Sequence, residues 1–288
     1  MPQISRSLVV ASPLWIPIRQ SENRAKVSVL PFARCREKIV WRDLVRLSPL
    51  ETAHELALSW PWLAISLYAA AHRHHAVALA CSFMFFLTGL RQVHGAFHYS
   101  IGLSRRWTES TMFVLSVAML GSMHAVQINH LRHHRHCLED EDIEAMSARM
   151  PVWKAIVTGP LFPWRLHRKA LQVATRPQRR RIATELCATA LMFVAAAAGP
   201  HWLQYHVLAM TVGHCLASFF AVWTVHHDCN KDGLFARTIR GAVRGRITYA
   251  MFYHVEHHLF PAVPTRHLSQ LARRLDAVAP ELASRRVF

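Results

Sequence analysis

Three short stretches of this chain place histidines at helical spacing, and they constrain its fold more than any other feature. The stretch Tyr253-His254-Val255-Glu256-His257-His258-Leu259-Phe260-Pro261 carries histidines at i, i+3 and i+4, positions that a helix presents on one face. The same spacing recurs in His130-Leu131-Arg132-His133-His134, and His94 and His98 form an i, i+4 pair. A fourth cluster, His226-His227, stands before Asp228. Neutral imidazole is a good ligand for iron, zinc or copper, and three converging imidazoles make half of a site. A single histidine is usually a core or surface residue. Three boxes of one grammar in one chain call for a metal centre.

Counting one ligand from the adjacent pair His226-His227, the clusters offer two, three, one and three, nine in all. That is too many for one ion with four to six ligands and suits two. All-imidazole ligation leaves no strong thiolate donor, which fits a nitrogen-bound metal that reacts with dioxygen. Spacing alone admits iron, zinc and copper equally. The six cysteines are scattered without a CxxC pair, so neither a disulfide framework nor an iron–sulfur cluster is expected.

The surrounding sequence reads as membrane. Hydrophobic residues make up 52% of the chain while Lys+Arg outnumber Asp+Glu by 34 to 17. A pI near 10.8 would also suit a nucleic-acid binder, but the basic residues sit beside long apolar runs and no recognition motif accompanies them. Apolar runs at 50–71 and 76–93, joined by His72-Arg73-His74-His75, predict one hairpin of transmembrane helices. Runs at 183–198 and 202–225, joined by Gly199-Pro200-His201, predict a second. Pro61 is expected to be tolerated inside the first span. The run 112–126 is short for a crossing, and a crossing would put the second box on the wrong side, so a buried or re-entrant helix is expected. His124 on it reads as a packed core histidine. The stretch 151–177, rich in Trp, Pro and basic residues, suits the headgroup layer. Residues 1–45 read as a loosely ordered or interfacial arm, 46–288 as one membrane domain, and the tail from Leu268 as an amphipathic helix.

Two hairpins return all four clusters to one side, together with the Arg-rich segments 165–181 and 237–246; the far loops hold only Arg73 among Lys and Arg. By the positive-inside rule that side is the cytoplasm. The expected fold is therefore all-α: four transmembrane helices in two hairpins under a cytoplasmic helical cap that carries the boxes.

HxxxH, HxxHH and HxEHHLFPxVP together resemble the membrane fatty acid desaturase superfamily, from about residue 50 to 271 and most specifically over Tyr253 to Pro264. The resemblance implies two irons held by His94, His98, His130, His133, His134, His254, His257 and His258, with a ninth ligand from the pair His226 and His227. His227 is preferred, since relatives commonly show a polar residue followed by the ligand there. Glu256 is expected to hydrogen-bond a ligand imidazole, and the acidic run Glu139 to Asp142 offers further partners for the outer ring nitrogens. Two positions depart from the superfamily pattern: Gly95 replaces an acid after the first histidine, and Ala250 stands where relatives often carry Asn.

The implied activity is dioxygen-dependent desaturation of a fatty acyl or other lipid chain. Hydroxylation or ketolation of a lipid, alkyl or carotenoid substrate uses the same boxes. Electrons then come from a separate donor, such as ferredoxin with its reductase, because no cytochrome b5 segment, cluster motif or nucleotide-binding Gly motif is present. A membrane metal transporter would place its ligands at mid-membrane depth, and a membrane haem protein would use paired axial histidines inside helices. Neither matches boxes that flank the helices on one side.

Overall fold

The protein was analysed as a computed structural model, which describes residues 38–230, 235–280 and 282. Twelve α-helices and no strand occur among the described residues. Residues 1–37, most of the expected N-terminal arm, lie outside them. The end of that arm is packed: Ile39 and Leu44 are buried, and Trp41 lies against Phe260 with ring centroids 5.4 Å apart.

Helix α1 (Pro49–Ala57) starts from a capping box in which Ser48 Oγ accepts the Glu51 N–H and Glu51 accepts the Ser48 N–H. Helix α2 (Trp60–Ala71) follows after a break at Leu58-Ser59. The expected continuous span 50–71 is therefore two pieces. Pro61 has no N–H to give the Ala57 carbonyl, so the helix stops and restarts with proline in its first turn, where the missing donor costs nothing. At about 1.5 Å per residue α2 is roughly 18 Å long, short of a ~30 Å hydrocarbon core.

Three helices are long and apolar enough to cross a membrane: α3 (His75–Phe97), α8 (Arg176–Ala198) and α9 (His201–His226). Between them, α4 (Arg105–Met119) and α5 (Met123–His136) pass the same test only as a pair bent by 111°. Among the described residues the count is thus three, or four if the bent pair is one span; α8 and α9 are the second expected hairpin, and the first lacks a full-length opening helix. The bend is built at Leu120, which takes the left-handed conformation, and at Gly121, where a Cβ would lie 2.9 Å from His214 Cε1. Ser122 then caps α5 by accepting the Ala125 N–H. The short run 112–126, expected to form a buried or re-entrant helix, straddles this bend.

Helices α6 (Val152–Val157) and α7 (Leu161–Val173) follow, and the turn between them presses Gly159 against the Cys215 carbonyl of α9. The main core lies between α3, α4, α5, α7 and α9 and includes Phe85, Met112, Leu115, Met119, Phe162 and Met210. The span α8 is only 22% buried within the protein, and its exposed Leu191, Phe193 and Val194 leave an apolar outer wall suited to lipid. Its one carboxylate, Glu185, is turned inward, where it accepts from Ser122 Oγ, His124 Nδ1 and the His124 N–H. His124 is thus a core histidine, as expected.

A second core caps the end of α3, α5 and α9 where the histidines collect. It is formed by α11 (His254–Leu259), α12 (Leu268–Asp276) and the 3₁₀ turn Arg42–Leu44, around Val255, Phe260, Leu268 and Leu271; the short α10 (Ala242–Ile247) precedes them with Val243 and Ile247 exposed. In α12 the buried Leu268, Leu271 and Leu275 follow the predicted amphipathic period.

Candidate metal centre

Each histidine box ends or begins a helix at that one pole. His94 sits in the last turn of α3 with His98 as its C-cap, His130, His133 and His134 line the C-terminal half of α5, and His254, His257 and His258 occupy the short α11. Helix α9 contributes one histidine, and the structure chooses His226. A π-helical segment, Ser218–Trp223, lies just before it. The wider i→i+5 turn advances less rotation per residue and resets which of two adjacent histidines faces inward. His226 is buried within the cluster. His227, the residue preferred from the sequence, is turned away, stacked on Trp223 at 4.0 Å with its Nδ1 donating to the Trp223 carbonyl.

The nine remaining imidazoles form two groups. The Nε2 atoms of His133, His226, His254 and His258 close a ring with edges of 3.1, 2.9, 3.1 and 3.3 Å. A square of that size has its centre about 2.2 Å from each corner, close to an imidazole–metal bond of ~2.0–2.1 Å. In the second group the donor atoms of His94, His98, His130, His134 and His257 all lie within 4.8 Å of one another. Neighbouring Nε2 atoms there are 2.9 Å (His98 to His130), 3.1 Å (His130 to His134) and 3.0 Å (His134 to His257) apart. His94 Nε2 is buried with no hydrogen-bond partner at all.

The outer nitrogens orient these rings. His226 Nδ1 donates to the Phe235 carbonyl at 2.8 Å, and His133 Nδ1 donates to the Asp142 carboxylate at 2.7 Å. With Nδ1 held by its outer partner, each ring turns Nε2 into the cluster, the nitrogen that a neutral imidazole offers to a metal. His130 is oriented in the same manner, Nδ1 to Glu144 Oε1 at 2.8 Å. Burial, and then the neighbouring imidazoles, hold the pKa values of His98, His254, His257 and His258 well below the usual histidine range. They are therefore neutral at physiological pH, the form that binds metal.

The carboxylates differ from expectation in a consistent way. Of the acidic run, only Asp142 reaches a cluster histidine; Glu139, Asp140 and Glu141 pair with His136, Arg149 and Arg132 at the surface. Burial pushes the Asp142 carboxyl up, but His133 and the N–H groups of Leu138 and Ala145 outweigh it and hold it below the carboxylate range. Glu144, which no sequence pattern marked, is pushed by burial up to about 7. Glu256 does not touch an imidazole. Its carboxylate accepts from Thr238 Oγ1 and from Arg240 Nε, each at 2.7 Å, which ties the last box to the segment 235–240. That segment thus holds both α11 and, through the Phe235 carbonyl, His226.

Cys137 lies at the rim of the four-nitrogen ring, its Sγ 4.0 Å from His133 Nε2 and 3.9 Å from the Phe235 carbonyl oxygen. His201 lies at the opposite pole, bonded to the Ala70 carbonyl at the end of α2, and His72, His74 and His75 occupy the same far turn. A cavity partly open to solvent meets the cluster at His94, His130 and His254 and is otherwise mainly apolar, with walls that include Leu90, Phe97 and Val222.

The family model for fatty acid desaturase matches residues 71–287. No curated protein matches the chain.

Proposed function

On the premise that the chain belongs to the fatty acid desaturase family, we propose that it is a membrane-bound non-haem diiron oxidoreductase that uses dioxygen to desaturate a fatty acyl or other lipid chain. The observation that carries this reading is the closed ring of four Nε2 atoms, bordered by Cys137, beside a second group of five imidazoles, both meeting one apolar cavity. Single-metal transport has no use for two adjoining sites buried at one pole.

The ligands assigned are His94, His98, His130, His134 and His257 for one ion, and His133, His226, His254 and His258 for the other. Iron bound there would supply reduction of dioxygen and abstraction of hydrogen from an unactivated C–H bond. The chain's own residues do the positioning. Asp142, Glu144 and the Phe235 carbonyl fix three imidazoles with Nε2 inward, and the cavity wall holds an alkyl chain against the cluster while excluding water. Loss of a second hydrogen gives an alkene; return of oxygen gives an alcohol, so a hydroxylase or ketolase outcome uses the same geometry. Electrons come from a separate donor such as ferredoxin with its reductase, which meets the histidine pole from the cytoplasm.

Expression in a host that supplies ferredoxin, with mass spectrometry of the lipids, tests the reaction. Loss of two mass units is the expected result. A gain of sixteen selects the hydroxylase reading, and unchanged lipids with a fully iron-loaded protein reject both. Elemental analysis should find close to two irons per chain, and one would refute the paired site.

A further inference from the structure

Between residues 151 and 184 the chain carries eight lysines and arginines and no aspartate or glutamate. Of these eight, only Arg181 has a carboxylate partner among the described residues, Glu109 at 2.8 Å. The bundle of charge is placed where helix energetics disfavour it. Arg176, Arg179, Arg180 and Arg181 occupy the first two turns of α8, the positive end of the helix dipole, where cations are destabilising and anions are favoured. Something anionic outside the chain would offset that cost.

The same surface is apolar in a way that a water-facing surface is not. Trp153 is 63% exposed, Val157 69%, Leu161 47% and Trp164 57%, and all four lie outside the spans. The Arg168 guanidinium stacks over the Trp164 ring at 5.3 Å, and the two residues share an outer groove with His167, Leu171 and Gln172. Exposed tryptophans beside unpaired cations suit the boundary between acyl chains and headgroups. The opposite face of α7 bears Phe162 and Leu166, which line the interior cavity, and His167 borders both sides. One helix therefore separates the headgroup layer from the cavity.

We propose that the face formed by α6, α7 and the start of α8 is a binding surface for anionic phospholipid, with the phosphate of the headgroup seated at Trp164–Arg168 and the arginines of α8. Zwitterionic lipid lacks the net charge to answer seven unpaired cations, and an acidic soluble protein would leave the exposed tryptophans and aliphatic side chains without an apolar partner. The inference stands on charge and exposure and does not rest on the metal chemistry.

The test uses the full chain in detergent micelles with phosphatidylglycerol or phosphatidylcholine added, read by native mass spectrometry and by the apparent melting temperature. Phosphatidylglycerol should bind and raise the melting temperature where phosphatidylcholine does not, and the shift should shrink as salt is added. One cation near an anionic surface contributes ~1 kcal/mol, about five-fold in affinity. Arg168→Gln should therefore weaken phosphatidylglycerol about five-fold, and the triple change Arg168→Gln, Arg176→Gln, Arg180→Gln about a hundred-fold. All three side chains are exposed, so the variants should melt as the parent does in phosphatidylcholine; Trp164→Ala, which leaves the charge intact, gives a second variant and should also weaken binding. Equal binding of the two lipids would overturn the proposal and leave the arginines as topological signals only. Binding of polyglutamate that the triple change abolishes, with phosphatidylglycerol unaffected, would overturn it in favour of a protein dock.

Discussion

Arg91 lies one turn before His94 on α3 and is the residue through which the first box is tied to the last. Its two terminal nitrogens meet both carboxylate oxygens of Glu55 on α1, and its Nε donates to the Tyr249 carbonyl at 2.7 Å. The side chains of Arg91 and Glu55 are only 4% and 5% exposed. Tyr249 and Ala250 both hold positive φ, 52° and 59°, a left-handed pair that costs about 1–2 kcal/mol per residue and leads directly into Tyr253 and His254. Glu55→Ala would leave the guanidinium buried without its counter-ion, a loss of about 3–5 kcal/mol. In a chain of this size that corresponds to a fall of roughly 6–20 °C in apparent melting temperature. The double change Glu55→Leu with Arg91→Met removes both charges and should recover most of that loss. It should not recover metal content, because the Tyr249 carbonyl stays without its donor and the approach to His254 relaxes. Differential scanning fluorimetry with elemental analysis on the three proteins checks both parts. A Glu55→Ala protein that melts within 2 °C of the parent, or a double variant with two irons per chain, would refute the reasoning.

His226→Ala should lose one of the two metals and all activity while His227→Ala keeps both, as read by elemental analysis and lipid profiling; the reverse order would show that the π segment does not select the ligand. His257→Ala and His133→Ala should each abolish activity, whereas His72→Ala and His201→Ala at the far pole should retain it. Asp142→Asn should weaken metal binding about 10–100-fold by loosening His133, measured by competition with a chelator. Glu51 is held at about 2 by the Ser48 N–H, His267 and the Ser48 hydroxyl, below its ordinary 4.5. Since the folded value is depressed, its stabilisation is present above about pH 4.5 and fades as pH falls toward 2. The melting temperature of Glu51→Gln should therefore lie below the parent's at pH 6 and converge with it only as pH approaches about 2. Chelation should lower the melting temperature of the metal-loaded protein in proportion to the logarithm of the residual free metal, and an unchanged value would argue against a metal built into the fold.

Much of the site was legible in the sequence because a helix writes its face into spacing. His130, His133 and His134 on α5, and His254, His257 and His258 on α11, point inward together for the reason their i, i+3, i+4 pattern implied. The pattern also implied that the chain must fold back between the first and second boxes, and a 111° bend at Leu120–Ser122 lies between them. Hydropathy was a weaker guide. It found α3, α8 and α9 but joined α1 and α2 across Pro61, since composition averages over a missing N–H that the backbone cannot ignore.

Sequence by itself determined which residue types gather and on which helices: eight box histidines, the apolar runs that carry them, and a surplus of positive charge at the same pole. Tertiary structure decided what depends on rotation and on distant partners. The choice of His226 over His227 rests on a π segment whose wide turn no composition rule marks. Asp142 and Glu144 became the orienting carboxylates because a 3₁₀ turn at Glu144–Ser147 brings them back over α5, while Glu256, inside the most recognisable box, was taken by Thr238 and Arg240. A residue's face on its own helix is a local property, set within one turn. The partner that its side chain meets is set by how helices pack, and that information is spread over the whole chain.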